Sequence, residues 1–267
     1  MLKPSFAILA ALAALAAPLS AQAHRGWLAP SATVLSGTDA WVGFEAAMSN
    51  GVFIADHAAM RLDGLIITGP DGTTLTPENM MQARYRTTFD AHLTQAGTYR
   101  IANISDGITA RYVLDGETRR WRGSETDFPA ALPAGATDIE ASRSSGRTET
   151  YVTLGAPTTD IFAPTGNGLE LAPVTHPNDL VSGEAATFGF LMNGRPAANL
   201  EVTVARGGTR YRDNPEEVTL TTDASGTVTI DWAEPGLYWI HAAIRTPADR
   251  ATLAASAQYN GVLEVLP

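Results

Sequence analysis

Apolar positions recur along the chain at every second residue, in short runs. In Trp41-Val42-Gly43-Phe44-Glu45-Ala46 the apolar members Val42, Phe44 and Ala46 fall on one face. Arg84 to Leu93 alternates the same way. Tyr85, Thr87, Phe89, Ala91 and Leu93 share a face that reads as core, and Arg84, Arg86, Thr88, Asp90 and His92 share the other. Ala186, Phe188, Phe190 and Met192 form another run, and Val202 and Val204 a short pair. Val228, Ile230 and Trp232 precede a Glu234-Pro235-Gly236 turn, and Tyr238, Ile240, Ala242 and Ile244 follow it. Other turns are marked at Gly69-Pro70-Asp71-Gly72, Asp115-Gly116, Asn193-Gly194 and Ala224-Ser225-Gly226. Short period-two runs with frequent turns predict antiparallel strands. Residues 124–150 break the pattern: Pro129, Pro133 and Gly135 interrupt any regular element, and 142–146 is polar. An irregular excursion is expected there, ending in a strand over 148–154.

The runs repeat. Leu28-Ala29-Pro30 recurs as Leu171-Ala172-Pro173, Ser36-Gly37 as Ser182-Gly183, and Gly97-x-Tyr99-x-Ile101 as Gly236-x-Tyr238-x-Ile240. The order is the same and the offset stays near about 140 residues, which is the mark of two copies of one module. The expected fold class is all-β, with two antiparallel immunoglobulin-like β-sandwich domains. The first spans 24–155 and the second 169–267, joined by a Pro- and Gly-rich linker over 156–168.

Residues 1–23 follow a different rule. One positive charge, Lys3, precedes a short apolar stretch that ends in Ala21-Gln22-Ala23. That is the pattern of a secretory signal peptide and its cleavage site. The apolar run is shorter than the ~20 residues a spanning helix needs, so the mature chain is expected to be periplasmic and not membrane-spanning. The 267 residues carry a net charge of −10 and no block of Lys or Arg, which argues against nucleic acid as a partner. There is no Cys, which removes disulfides, thiolate metal sites and cysteine nucleophiles. No Gly-x-Ser-x-Gly elbow, Gly-rich phosphate loop or His-Glu-x-x-His is present, and no carboxylate pair stands out as acid and base. The chain is therefore read as a non-enzyme. Arg119-Arg120-Trp121-Arg122 reads as a solvated hairpin arm.

Without Cys, metal chemistry falls to five histidines: His24, His57, His92, His176 and His241. Cleavage after Ala23 makes His24 the first residue, so its α-amine and imidazole can chelate one ion. Such nitrogen donors suit Cu, Ni, Co and Zn. His92 points away from the core with Asp90 on the same face, where a carboxylate orients an imidazole. His57 is expected at a strand end or loop. His176 precedes Pro177, near the domain junction. His241 is the least favoured ligand. The expected metal set is His24, His57, His92 and His176, and binding weakens as imidazoles protonate near pH ~6.5. Met80-Met81 reads as core filling.

Several segments together resemble a known family. They are Ala23-His24-Arg25-Gly26-Trp27-Leu28-Ala29-Pro30-Ser31, Leu62-Asp63-Gly64 through Asp71-Gly72, and Thr88-Phe89-Asp90-Ala91-His92-Leu93 with Gly97-Thr98-Tyr99. The most specific is Gly168-Leu169-Glu170-Leu171-Ala172-Pro173-Val174-Thr175-His176-Pro177-Asn178-Asp179-Leu180. These resemble the periplasmic proteins of domain-of-unknown-function family 4198, described as a component of nickel or cobalt uptake. The second half is also similar to prealbumin-like modules through Gly194-Arg195-Pro196 and Gly236-Leu237-Tyr238. The resemblance implies an exported protein that binds Ni, Co or Cu, or a complex of one, for an inner- or outer-membrane uptake system. Two alternatives stay open: a structural or adhesive sandwich binding a receptor or glycan without metal, and a copper oxidase acting on polysaccharide.

Overall fold

The computed structural model describes residues 24–249 and 252–267. The signal-peptide expectation, 1–23, lies outside the described residues. In chain order the strands of the first half are β1 (Arg25–Pro30), β2 (Val34–Leu35), β3 (Ala40–Ser49), β4 (Ala58–Ala59), β5 (Leu65–Thr68), β6 (Thr74–Leu75), β7 (Glu78–Gln82), β8 (Thr87–Leu93), β9 (Gly97–Leu114), β10 (Glu117–Gly123) and β11 (Thr137–Leu154). Those of the second half are β12 (Leu169–Pro173), β13 (Ala185–Met192), β14 (Arg195–Pro196), β15 (Glu201–Arg206), β16 (Val218–Thr221), β17 (Thr227–Asp231), β18 (Gly236–Thr246) and β19 (Ala254–Val265). The chain is almost wholly β, built from antiparallel sheets packed as sandwiches.

The first sandwich places a sheet ordered β1-β3-β8-β7, with β4 beside β3, over strands β5, β9 and β11. Its core takes Leu28, Val42, Phe44, Phe89 and Ala91 from one layer and Ile67, Tyr99, Ile101 and Val152 from the other. The second places β12, β13, β14 and β17 over β16, β15, β18 and β19. Phe188, Phe190, Val202, Ile230, Trp232, Ile240 and Tyr259 fill it. The alternating runs thus bury the expected faces, except that Tyr85 is 40% exposed because β8 begins only at Thr87. Met80 and Met81, expected as core filling, are instead exposed on the edge strand β7.

The repeat is structural. Pro30 lies opposite Phe44 and Pro173 opposite Phe188, each on the strand that opens its sandwich. Gly97 and Gly236 have φ of 135° and 136°, a region that glycine enters freely. Each lets a strand start sharply before a tyrosine. The Tyr99 hydroxyl then donates to the Gln95 carbonyl, and Tyr238 to the Glu234 carbonyl, both at 2.7 Å. This is the tyrosine corner of immunoglobulin-like sandwiches, present twice.

The stretch expected to be irregular is instead half strand. β11 runs from Thr137 and pairs on one edge with β9 and on the other, in parallel, with β19. Its polar segment Ser142–Gly146 carries no apolar alternation because backbone pairing on both edges holds it. The β11–β19 ladder fuses the two sandwiches through one ten-stranded sheet. The Arg119–Arg122 segment lies in β10, an exposed hairpin arm paired with β9.

Two further contacts fix the halves together. Trp27, Ala47 and Val52 pack against Ala205, Trp239 and Val262. The Trp239 indole donates to the Gly26 carbonyl at 2.9 Å, and the Arg25 guanidinium lies over Trp239 and pairs with Glu217. Within the junction, Arg147 and Glu149 form a buried ion pair at 3.4 Å, and Tyr151 donates to Glu149 at 2.7 Å. Between the halves, the segment 156–168 is pinned. Ile161 is buried in the second core, and the buried Glu170 carboxylate accepts from Thr165 and from the Gly166 amide.

Candidate functional site

β1 and β4 flank β3 on opposite edges. Met48 of β3 lies opposite Gly26 on one side and opposite Ala58 on the other. His24 stands two residues before Gly26 and His57 one residue before Ala58, so both leave the sheet at the same end of β3. Their rings stack with centroids 3.5 Å apart and planes 12° from parallel. Both residues are exposed. Among the described residues neither ring makes a hydrogen bond, which leaves its nitrogens open. Imidazole nitrogens are donors of the kind that Cu, Ni, Co and Zn accept, but in this stacked arrangement the in-plane lone pairs run alongside each other, so sharing one ion requires the rings to turn. Met48 Sδ lies 3.2 Å from where a Cβ on Gly26 would sit, a close approach that the glycine permits. Sequence reasoning assigned Met48 no part; its place follows from strand register alone.

His92 stands elsewhere. It lies opposite Trp41, whereas Arg25 lies opposite Ser49. Eight residues of extended β3 separate those rows, about 27 Å. His92 stacks on Trp41 at 4.4 Å, and its Nε2 bonds Asp39 Oδ1 at 3.0 Å. The carboxylate expected to orient it, Asp90, accepts instead from Asn79 at 2.8 Å. Residues two apart on a strand are ~6.6 Å from each other, so the cross-strand neighbourhood supplies the nearer partner.

His176 is held within the junction. Its Nδ1 accepts from the Asn178 amide at 3.1 Å, so the proton sits on Nε2. That nitrogen meets the Thr98 hydroxyl at 3.0 Å and the Thr158 carbonyl at 3.2 Å. Burial pushes its pKa down, against the opposing pull of the Thr158 carbonyl and Asp179. With both nitrogens engaged, the ring clamps the junction. His241 is similar: Nδ1 bonds Asn260 Oδ1 at 3.0 Å, its ring stacks on Trp239, and burial lowers its pKa. Of the four expected ligands, His24 and His57 meet, while His92 and His176 each go to other partners. Among the described residues no group of three or more His, Asp or Glu side chains could hold a metal ion.

Residues 21–246 match the family model described as "Domain of unknown function (DUF4198)". No curated protein matches the chain. Among solved structures, the D0-D1 domain of intimin is similar at 12% identity and a TM-score of 0.23, covering 90% of this chain and 97% of that one. A DUF4785 family protein from Legionella pneumophila is similar at 8% identity and a TM-score of 0.24, covering 80% of this chain and 50% of that one. An ICAM-5 D1-D4 ectodomain fragment is similar at 12% identity and a TM-score of 0.21, covering 91% and 51%. Likenesses at these scores carry no argument, and the architecture rests on this chain's own strand pairing.

Proposed function

The chain belongs to the DUF4198 family, whose description assigns no activity, and we propose that it is an exported protein that binds a transition-metal ion for uptake or handling. In this reading the leader is removed after Ala23. The α-amine and imidazole of His24 and the imidazole of His57 then hold one ion of Ni, Co, Cu or Zn. The meeting of two exposed imidazoles, His24 and His57, close enough for a turn of the rings to bring a nitrogen of each onto one ion, is the observation that supports the proposal. Two imidazoles alone make a weak site, and the freed amine supplies the third nitrogen. The ion is cargo, and an inner- or outer-membrane uptake system is the partner that receives it.

Calorimetric titration of protein beginning at His24 with Cu, Ni, Co and Zn salts tests this. The parent binds one equivalent of at least one ion. An extra residue ahead of His24, or His57→Ala, weakens binding by more than the about 10–100-fold that follows loss of a mere ligand-orienting group. A parent that binds none of these ions, or binding unchanged by both alterations, overturns the proposal.

A further inference from the structure

We propose that the outer face of the β1-β3-β8-β7 sheet is a second binding site, independent of the histidine pair, and that it takes a neutral oligosaccharide. The alternation that buries Val42, Phe44 and Ala46 turns Trp41, Gly43 and Glu45 outward, and in β8 it turns Thr88, Asp90 and His92 outward. Between them runs an open groove of about 450 Å³ lined by Ser31, Gly43, Glu45, Asn79, Thr88 and Asp90. Trp27 and Phe53, in edge contact at 5.6 Å, close one end. Gly43 is its floor. A Cβ there would stand 3.3 Å from Asp90 Oδ1, so any larger residue would occupy the groove.

Past the other end stands Trp41, 50% exposed. His92 lies flat against it with planes 4° apart, and Asp39 holds His92, so the indole is a fixed plate. The polar groups are likewise set in place. Glu45 pairs with Arg86 at 3.3 Å, Asp90 accepts from Asn79 at 2.8 Å, and Ser31 Oγ accepts from the Gly43 amide at 3.1 Å.

This chemistry selects the occupant. Glu45 is already matched by a guanidinium, and no three metal-binding side chains gather here among the described residues, so a bare cation is not favoured. A sugar presents a flat C–H face to an indole and hydroxyls to oriented carboxylates, amides and hydroxyls. Such pockets combine aromatic surface with a few placed polar groups. The outward row Trp41, Gly43 and Glu45 spans four residues of β3, about 13 Å. That length suits more than one linked ring.

The test uses the chain from His24 onward, with cellohexaose and chitohexaose as probes, read by tryptophan fluorescence and calorimetry in the presence of a chelator. At least one probe binds, and chelation does not change its affinity. Trp41→Ala weakens binding about tenfold, the upper range of one aromatic contact. Gly43→Val, which removes no polar group and suits a strand, abolishes it while the thermal melt stays that of a folded protein. Binding of neither probe, binding lost to the chelator, or binding unaltered in Gly43→Val overturns the proposal.

Discussion

At the junction of the two sandwiches, the His176 ring has partners on both nitrogens, and the side chains around it are bonded in turn. Thr98 meets Thr153 at 3.0 Å, Thr153 donates to Asn178 at 2.9 Å, and Asn178 donates to the Tyr151 carbonyl at 2.9 Å. At the open end of β3, His24 and His57 are exposed and touch each other's faces. Identical side chains thus serve opposite ends. Where each polar atom already has a protein partner, a histidine is part of the architecture. Where none does, it is available to something from outside.

Four perturbations break or sharpen this contrast, and the first is the largest. Glu149→Ala leaves Arg147, 5% exposed, buried without its carboxylate and Tyr151 without its acceptor. A loss of about 3–5 kcal/mol is expected in denaturant unfolding, as for other broken buried pairs. His176→Ala removes one ring from the hydrogen-bonded chain and costs about 1–3 kcal/mol by the same measurement. A smaller effect is acid sensitivity. Burial lowers the folded-state pKa of His176 and His241 below the unfolded ~6.5. Under acid the unfolded chain therefore binds more protons than the folded one. Their stabilisation is full above ~6.5 and is lost as pH falls from there towards the lowered folded values. Melting temperature should drop over that window, with a shallower slope in His176→Gln. The least effect on stability belongs to His24→Ala with His57→Ala, within about 0.5 kcal/mol. A large destabilisation by that double variant would erase the contrast, because the pair would then be structural too.

The contrast also divides what was legible. Periodicity predicted the strands that bury Val42, Phe44, Phe89, Phe188 and Ile240, since one side of each faces a core. The paired Gly-x-Tyr-x-Ile segments predicted two modules, and both form tyrosine corners. The Ser142–Gly146 stretch was not legible, because a strand held by backbone ladders on both edges needs no apolar face. The meeting of His24 with His57 was not legible either, since it depends on two registers along β3. Neither was Asp39 as the partner of His92, which the diagonal across β3 and β8 decides. Sequence names the residue types, and register chooses their company.

The parallel ladder between β11 and β19 has a consequence for biosynthesis. Thr150 and Val262, joined by a 2.8 Å bond from hydroxyl to carbonyl, are 112 residues apart. β9 can pair with β11 as soon as both have been synthesised, but the seam waits for β19. Pairings this distant form slowly. Until they form, the long edge of β11 stays unpaired, and such an edge recruits other chains. A chain cut short before Ala254 would leave that edge without its β19 partner permanently. The same strand that welds the halves is thus the one whose late arrival sets the interval of aggregation risk.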